Sequence, residues 1–374
     1  MNEVALMRQL HRHGHSSRIE LATILKLDAK TVTNLTRELL KKRYIRTIGL
    51  APIDRGRPRQ ILQLNNRVLQ AIGIYLQEDA VHGAVIDLEG HISHKISAPI
   101  SGKGSQKALL QTLRKIAAQL LRQSKVKVMG IGLAFPGIYD IQTQRIIECA
   151  HLPPWKGICM PEVLKGVYRG PFFFDSFTRA KALAELWYGA ARTLENFILI
   201  DAGVGIGCAI VTQGQLQTGA THLAGEIGHM IVDRQGLRCR CGRLGCLETV
   251  SSLETVQRRM QKITGRSRQQ LSVSAMAELL TSDNPAIRAS VTEAGQALGL
   301  ALANLVQLLN PAHIVLAGDM LALGPLFIQS VNAGLTEYSI PTFRHAVRVV
   351  PGTLGEDGAL LGAGILALQP LFAS

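Results

Sequence analysis

Four potential metal ligands lie within eighteen positions near the middle of the chain. They are His229, Cys239, Cys241 and Cys246. Glycines at 236, 242 and 245 allow the tight turns that would bring the four side chains to one point. Three thiolates and one imidazole match the ligand set of a tetrahedral zinc ion. This stretch is therefore predicted to fold as a compact loop around structural Zn²⁺; the alternative is a group of unrelated, reduced cysteines.

Two glutamates bracket this cluster. Glu226 precedes it and Glu248 follows it. Four ligands already complete a tetrahedral shell, so a role as additional ligands explains these carboxylates poorly. The metal loop is expected to position both of them for another task.

The composition is that of a globular protein of two or three domains. The chain has 374 residues, of which 47% are hydrophobic and 18% charged. It has no apolar run of eighteen residues and begins with an amphipathic stretch, so neither a membrane partner nor a signal peptide is expected. Three further cysteines (Cys149, Cys159 and Cys208) lie scattered in apolar segments, which favours a reducing cytoplasm.

Positive charge is concentrated at the N-terminus. The first 67 residues carry fourteen Lys and Arg and five acidic residues, a net charge of +9, whereas the whole chain carries +14. Charge placed so locally indicates a polyanionic partner for this segment.

The N-terminal pattern predicts three helices, the second capped by Ser17 and the third, about residues 29–42, capped by Asp28. One face of the third helix is apolar. The other face carries short polar and cationic side chains suited to reading bases in a major groove, namely Lys30, Thr31, Thr33, Asn34 and Arg37.

A cationic hairpin is predicted after the third helix. Two strand-like segments flank Arg55, Arg57 and Arg59, which suit a narrow minor groove. Residues 1–66 are thus predicted to form a winged helix–turn–helix that binds double-stranded operator DNA. The alternative is a solvated basic loop beside a small protein-docking domain. A single winged helix reads few base pairs, so a homodimer is expected, with a tetramer as the alternative.

From residue 71 the pattern changes to an α/β body. A strand–turn–strand unit at 71–88 has a second copy at 197–212, and each is followed by further strands and a helix. Two similar α/β halves predict two lobes with a ligand cleft between them.

Several motifs of this body resemble those of the ROK family of repressors and sugar kinases. They are the segments 130–137, 203–207, 225–248, 310–318 and 361–363. The resemblance implies a two-lobed, actin-like (ribonuclease-H-like) fold. It places the first lobe at 67–174 together with a C-terminal helix at about 355–374, and the second lobe, with the zinc loop, at 175–354.

The resemblance also allows a test for kinase chemistry. Family kinases carry a glycine-containing phosphate turn where this chain has Tyr75 to Asp79, and a catalytic Asp where it has Phe177. Two carboxylates at 78 and 79 would repel a polyphosphate, and phenylalanine cannot accept a proton. Asp175 is the alternative base if the register shifts, and the turn Gly203–Gly207 could still bind an anion. The protein is therefore predicted not to be an enzyme.

The family's sugar-contacting residues correspond here to Glu226, His229 and Glu248, with His229 also a zinc ligand. The alternative is that both glutamates merely accept backbone N–H groups of the metal loop. The sequence thus predicts a repressor of sugar-utilisation genes controlled by a sugar or phosphosugar in the cleft. The alternative function is that of an ATP-dependent sugar kinase.

Overall fold

The structure is a computed structural model, and it describes residues 2–51, 58–100, 105–126, 128–149, 152–282, 284–343 and 346–372. Within those ranges, no helix combines the length and the apolar character needed to cross a bilayer.

The N-terminal module consists of three helices and a three-stranded antiparallel sheet. Its elements are α1 (Asn2–His13), β1 (His15–Ser17), α2 (Arg18–Leu25), α3 (Ala29–Lys41), β2 (Ile45–Ala51) and β3 (Arg59–Leu64). The sheet order is β1-β3-β2. Leu6, Leu21, Val32, Leu39 and Leu62 are fully buried and form the centre of the module. The predicted helices and hairpin are confirmed, whereas β1 was not predicted.

Local capping fixes the turn between α2 and α3. Ser17 caps α2 in a reciprocal capping box with Glu20, as predicted. Lys26 ends α2 in the left-handed conformation (φ 52°). Asp28 then begins α3, because its carboxylate accepts the backbone N–H of Thr31 at 2.8 Å. These bonds fix the orientation of α3 relative to α2.

A contact between the two ends of the chain anchors this module. Arg8 Nε on α1 donates to the backbone oxygen of Phe372 at 2.7 Å. The ring of His11 meets the ring of Phe372 edge-on, with 5.6 Å between centroids. Phe372 itself is buried, in a 3₁₀ turn at Gln369–Phe372. On another side, Gln63 Nε2 in β3 donates to Glu89 Oε1 at 3.4 Å.

The remaining strands and helices follow in groups along the chain. They are β4 (Gln70–Leu76), β5 (Ala80–Asp87), β6 (Ile92–Pro99), α4 (Gln106–Gln123), β7 (Ile131–Phe135), β8 (Ile138–Asp140), β9 (Arg145–Glu148), β10 (Phe172–Ser176), α5 (Phe177–Tyr188), β11 (Phe197–Ala202), β12 (Ile206–Thr212), β13 (Gln215–Gln217), α6 (Glu248–Ser251), α7 (Leu253–Thr264), α8 (Val273–Leu279), α9 (Pro285–Leu309), β14 (His313–Ala317), α10 (Pro325–Tyr338), β15 (Arg348–Pro351) and α11 (Gly358–Leu368).

Two five-stranded sheets share one topology. Their orders are β10-β7-β4-β5-β6 and β13-β12-β11-β14-β15. Each has an antiparallel meander (β4–β6 or β11–β13) followed by two strands that run parallel to the first strand of the meander. The predicted repetition of one α/β unit is therefore confirmed.

Glycines let α11 approach the first sheet closely. A Cβ atom at Gly132 in β7 would overlap the backbone oxygen of Ala363, and one at Gly73 in β4 would overlap that of Leu360. On the same sheet, a Cβ at Gly83 would come within 2.8 Å of Ile116 and Leu120 of α4. Helices thus pack directly on backbone, where any larger side chain would force a displacement.

The second sheet packs against a helical layer built on α9 and α10. Gly295 and Gly299 of α9 approach Val331 of α10 closely, so the two helices pack through small residues. Helix α9 begins at residue 285. Asn284 caps it and Pro285 occupies its first turn.

The chain divides into two compact units. The first comprises residues 1–136, 151–176 and 360–374, and the second comprises residues 137–150 and 177–359. The first therefore includes the N-terminal module and the first sheet, and the second includes the metal loop and the second sheet. The domain limits inferred from the sequence remain predictions.

Candidate functional site

The four predicted metal ligands converge. One potential ligand atom from each of His229, Cys239, Cys241 and Cys246 lies within 4.8 Å of all the others. Cys239 Sγ is 3.6 Å from His229 Nδ1, and Cys241 Sγ is 3.6 Å from Cys246 Sγ. Bonds of about 2.3 Å in a tetrahedron separate ligand atoms by about 3.7 Å. The cluster therefore has the dimensions and donor set to hold one metal ion.

Backbone pairing within the loop brings the ligands together. Ile231 pairs with Cys246, and Arg238 pairs with Leu244, in two short antiparallel bridges. Gly245 lies between these pairs with a φ of 71°, and a Cβ there would overlap the backbone oxygen of Asp233. Only glycine fits this position, because both the backbone angle and the close approach exclude a side chain.

The thiols of the cluster differ in acidity. Burial raises the pKa of Cys241, but hydrogen bonds from Arg243 and the neighbouring cysteines outweigh burial and lower it to about 6. Burial and the bonds within the cluster raise the pKa of Cys246 to about 12, and burial also raises that of Cys239. Because a metal binds cysteines as thiolates, an incoming ion must displace protons from the thiols whose pKa burial raises.

His229 lies between the metal cluster and Glu226. Its Nδ1 atom faces Cys239, whereas its Nε2 atom lies 3.9 Å from Glu226 Oε2. A metal-bound imidazole commonly directs its second nitrogen at a carboxylate, which fixes the orientation of the ring. Glu226 stands in that position.

Glu226 and Glu248 lie in one electrostatic environment. Burial raises the pKa of Glu226, His229 and Arg179 lower it, and the charges of Glu248 and Glu148 raise it further. Glu248 Oε2 accepts the backbone N–H of Ile206 at 3.4 Å. Carboxylates can accept hydrogen bonds from the hydroxyls of a polyol.

Sequence reasoning missed Arg179. Its side chain is only 5% exposed, and Nη1 donates to the backbone oxygen of His222 at 3.1 Å. The Nδ1 atom of His222 lies 3.0 Å from the hydroxyl of Tyr139. The only sequence signal was the position of Arg179 two residues after Phe177, on α5.

The glycine turn after β11 is preceded by a buried ion pair. Lys181 Nζ of α5 lies 2.7 Å from Asp201 Oδ1, and it lies 4.5 Å from the ring centroid of Phe177. A Cβ at Gly203 would lie 3.9 Å from Asp319 Oδ2. Desolvation raises the pKa of Asp319, and the charge of Lys181 lowers it. The carboxylates of Asp201 and Asp319 therefore lie near the turn that could have bound an anion.

The other kinase-related positions are also occupied by structural contacts. Tyr75 is buried in β4 and stacks on His82, with 4.5 Å between ring centroids. Gln77 N donates to the oxygen of Ala80 at 2.9 Å, which closes a tight hairpin. Asp175, the alternative base, is 9% exposed, and its Oδ1 atom accepts the N–H of Ser176.

The predicted DNA-contacting residues on α3 differ in whether they are exposed or already hydrogen-bonded within the protein. Lys30, Asn34 and Arg37 are exposed. The hydroxyl of Thr31 donates to Asp28 Oδ2 at 2.6 Å, and that of Thr33 donates to the oxygen of Ala29 at 2.7 Å.

In the hairpin, Arg59 at the start of β3 is partly buried. Arg55 and Arg57 lie outside the described residues.

Known proteins resemble the chain over its whole length. A putative xylose repressor from Caldicellulosiruptor sp. (strain Rt8B.4) is 25% identical, with 100% of this chain and 96% of the relative covered. The DNA-binding transcriptional dual regulator NagC of Escherichia coli (strain K12) is 24% identical, with 96% of this chain and 90% of the relative covered.

A solved regulator structure covers 99% of this chain, whereas a solved kinase structure covers 81% of it. A ROK family transcriptional regulator described as a homolog of the E. coli MLC protein superposes with a TM-score of 0.85 at 25% identity, covering 99% of this chain and 96% of its own. A ROK hexokinase from Thermus thermophilus (TM-score 0.70, 24% identity) covers 81% of this chain and 99% of its own, and shares the fold. The family model described as ROK matches residues 71–370. The chain belongs to the ROK family.

Proposed function

We propose that the protein is a sugar-responsive transcriptional repressor that binds double-stranded operator DNA. The observation that carries this proposal is the N-terminal module, a helix–turn–helix with a hairpin, joined to a ROK body; the first 67 residues carry a net charge of +9. A relative named as a putative xylose repressor aligns over 100% of this chain, and one named as a DNA-binding transcriptional dual regulator aligns over 96% of it. The protein would act in the cytoplasm.

DNA binding is assigned to residues 1–66. Lys30, Thr31, Thr33, Asn34 and Arg37 on α3 would enter the major groove, and Arg55, Arg57 and Arg59 on the hairpin would approach the minor groove. The exposure of Lys30, Asn34 and Arg37 supports this assignment. A homodimer would bring two modules to a two-fold operator, with a tetramer as the larger alternative.

The effector is assigned to Glu226, His229 and Glu248. A sugar or phosphosugar would donate hydrogen bonds from its hydroxyls to the two carboxylates. Occupied and empty states of the body would differ in operator affinity, which is the coupling that a regulator requires. The body would comprise lobes at 67–174, with about 355–374, and at 175–354.

The metal is proposed to be structural Zn²⁺ held by His229, Cys239, Cys241 and Cys246. Four protein ligands leave no open coordination position, and zinc supplies the bonds that hold the loop together. The position of Glu226 beside His229 Nε2 supports a role for the metal in orienting the effector residues.

Sugar kinase activity is the second candidate, and the shared fold of the Thermus thermophilus hexokinase favours considering it. The side chains argue against it. Phe177 cannot act as a base, Tyr75 is packed on His82, and Asp201 and Asp319 flank the glycine turn. We therefore propose that the protein is not an enzyme.

Three measurements test the proposal. Fluorescence anisotropy with promoter fragments from the protein's own genome should show specific binding that weakens steeply with salt. A panel of sugars and phosphosugars should include one that changes this affinity, and an effect from none of them would refute effector control. An ADP-release assay over the same sugars should show no turnover, and turnover of about 1 s⁻¹ or more would establish a kinase.

A further inference from the structure

Arg243 contacts three of the four proposed metal ligands. Its Nη2 atom donates to the backbone oxygen of His229 at 3.0 Å. Its backbone oxygen accepts the N–H of Cys239 at 2.8 Å. Its side chain and its backbone N–H both form hydrogen bonds with the thiol of Cys241. A guanidinium group has no lone pair to offer a metal ion, so these contacts indicate a role in supporting the ligands.

A tight turn places Arg243 beside the cysteines. Gly242 N donates to the oxygen of Cys239 at 2.9 Å, and Gly242 adopts a φ of 91°, which favours glycine. The chain therefore folds back so that Arg243 bonds to Cys239 and lies two residues after Cys241. These backbone bonds fix the point from which the arginine side chain extends.

The side chain of Arg243 links two separate segments of the loop. His229 lies in a 3₁₀ turn at Ile227–His229, fourteen residues before Arg243. Cys241 lies in the same turn as Arg243 itself. A guanidinium group carries several N–H donors in one plane, so it can bond to a carbonyl oxygen and to a sulfur at the same time. Arg243 therefore joins the histidine segment to the cysteine turn.

The charge of Arg243 complements that of a zinc-loaded cluster. Three thiolates and a neutral imidazole around Zn²⁺ carry a net charge of −1. A hydrogen bond from a cation to an anionic acceptor is stronger than one between neutral groups. Arg240 precedes Cys241 in the chain, but its Nη2 atom pairs with Glu254 at 2.8 Å. The guanidinium of Arg243, in contrast, is bonded to the cluster itself.

We propose that Arg243 is a positioning residue for the metal, which holds the Cys241 sulfur and the His229 segment in place and draws electron density from that sulfur. This inference rests on the structural zinc site proposed above. Residues that bond metal ligands from outside typically raise metal affinity by about 10–100-fold. Arg243 is exposed, and solvent screens its charge, so we expect an effect near the lower limit.

Arg243→Ala in the full-length protein should weaken zinc binding by about tenfold, as measured by competition with a chromogenic chelator. Arg243→Lys keeps the charge but replaces the planar fork with a single ammonium group, which is not expected to reproduce both bonds. Its zinc affinity should also fall below that of the wild type. A lysine variant with wild-type affinity would overturn the proposed bridge.

Cobalt-substituted protein gives a readout that loop stability alone would not change. Thiolate-bound Co²⁺ absorbs light through transfer of charge from sulfur to the metal, and a hydrogen bond to the sulfur raises the energy of that transfer. At saturating Co²⁺, Arg243→Ala should therefore move this absorption band to lower energy. A change that only loosened the loop would lower the affinity and leave the band of the saturated protein in place.

Arg234→Ala is the matched control, because it removes an exposed arginine from the same loop. It should leave the zinc affinity and the cobalt band unchanged. Equal losses of affinity in Arg234→Ala and Arg243→Ala would indicate a general effect of positive charge and would overturn the proposal, as would an unshifted band in Arg243→Ala. A wild-type protein that binds no zinc would refute the metal site itself, whereas undiminished zinc binding by Arg243→Ala would refute only the role of Arg243.

Discussion

Lys181 Nζ lies 2.7 Å from Asp201 Oδ1, and the two side chains are only 11% and 10% exposed. This ion pair joins α5 to Asp201 near the end of β11, two residues before Gly203. In a turn that binds phosphate, the residue at position 201 would lie close to a polyanion. Here it holds a carboxylate that is already neutralised by the protein's own lysine.

Lys181→Met should lower the free energy of unfolding by about 3–5 kcal/mol, because it leaves the buried Asp201 carboxylate unpaired. The double variant Lys181→Met, Asp201→Asn should recover more than half of that loss. Urea denaturation followed by circular dichroism measures both. If Lys181→Met alone is as stable as the wild type, the Asp201 carboxylate is solvated.

Cys241→Ser should abolish stoichiometric zinc binding, since it removes one of four ligands. We expect loss of effector response in the same variant, because the loop that positions Glu226 would lose its support. Cys159→Ser, which changes a free cysteine outside the cluster, is the matched control. Metal analysis measures the zinc content, and operator titrations measure the effector response. A response that survives the loss of zinc would show that the metal is not needed for it.

Glu226→Gln should weaken zinc binding by about 10–100-fold, because it removes the carboxylate facing His229 Nε2. Competition with a chromogenic chelator measures the affinity. Glu254→Gln is a suitable comparison, since Glu254 pairs with Arg240 on the loop but does not face the histidine. Equal effects of the two substitutions would rule out a specific role for the Glu226–His229 contact.

Arg37→Ala should reduce operator affinity and lower the slope of log affinity against log salt by about one, as expected for the loss of one phosphate contact. Asn34→Ala should instead alter discrimination between operator sequences, if its amide reads a base edge. Arg266→Ala, far along the chain in the second unit, should leave both unchanged. Anisotropy titrations at several salt concentrations would show whether these effects separate.

Short-range signals explain why much of the fold could be predicted. Ser17 and Asp28 cap helices through bonds that span three residues, so the sequence alone indicated them. The metal ligands lie within one loop whose glycines mark its turns. The repeated strand–turn–strand pattern likewise predicted two similar α/β halves, and the structure confirms them with two sheets of the same topology.

The features that could not be predicted depend on long-range contacts. Strand β1 has three residues, too few to show a two-residue period, and it exists because it pairs with β3. Lys181 and Asp201 are twenty residues apart on different elements, and no local pattern links them. In the sequence, Arg179 cannot be distinguished from other charged residues on helices. Its burial beside His222 depends on the fold.

The bond between Arg8 and Phe372 changes the mechanical freedom of the N-terminal module. A module joined to its body by one peptide segment can swivel about that segment in any direction. Residues 65–69 provide the first connection, and the Arg8–Phe372 bond provides a second one far away in sequence. Together with the Gln63–Glu89 bond, the Arg8–Phe372 bond holds the module on more than one side and so restricts its rotation about residues 65–69.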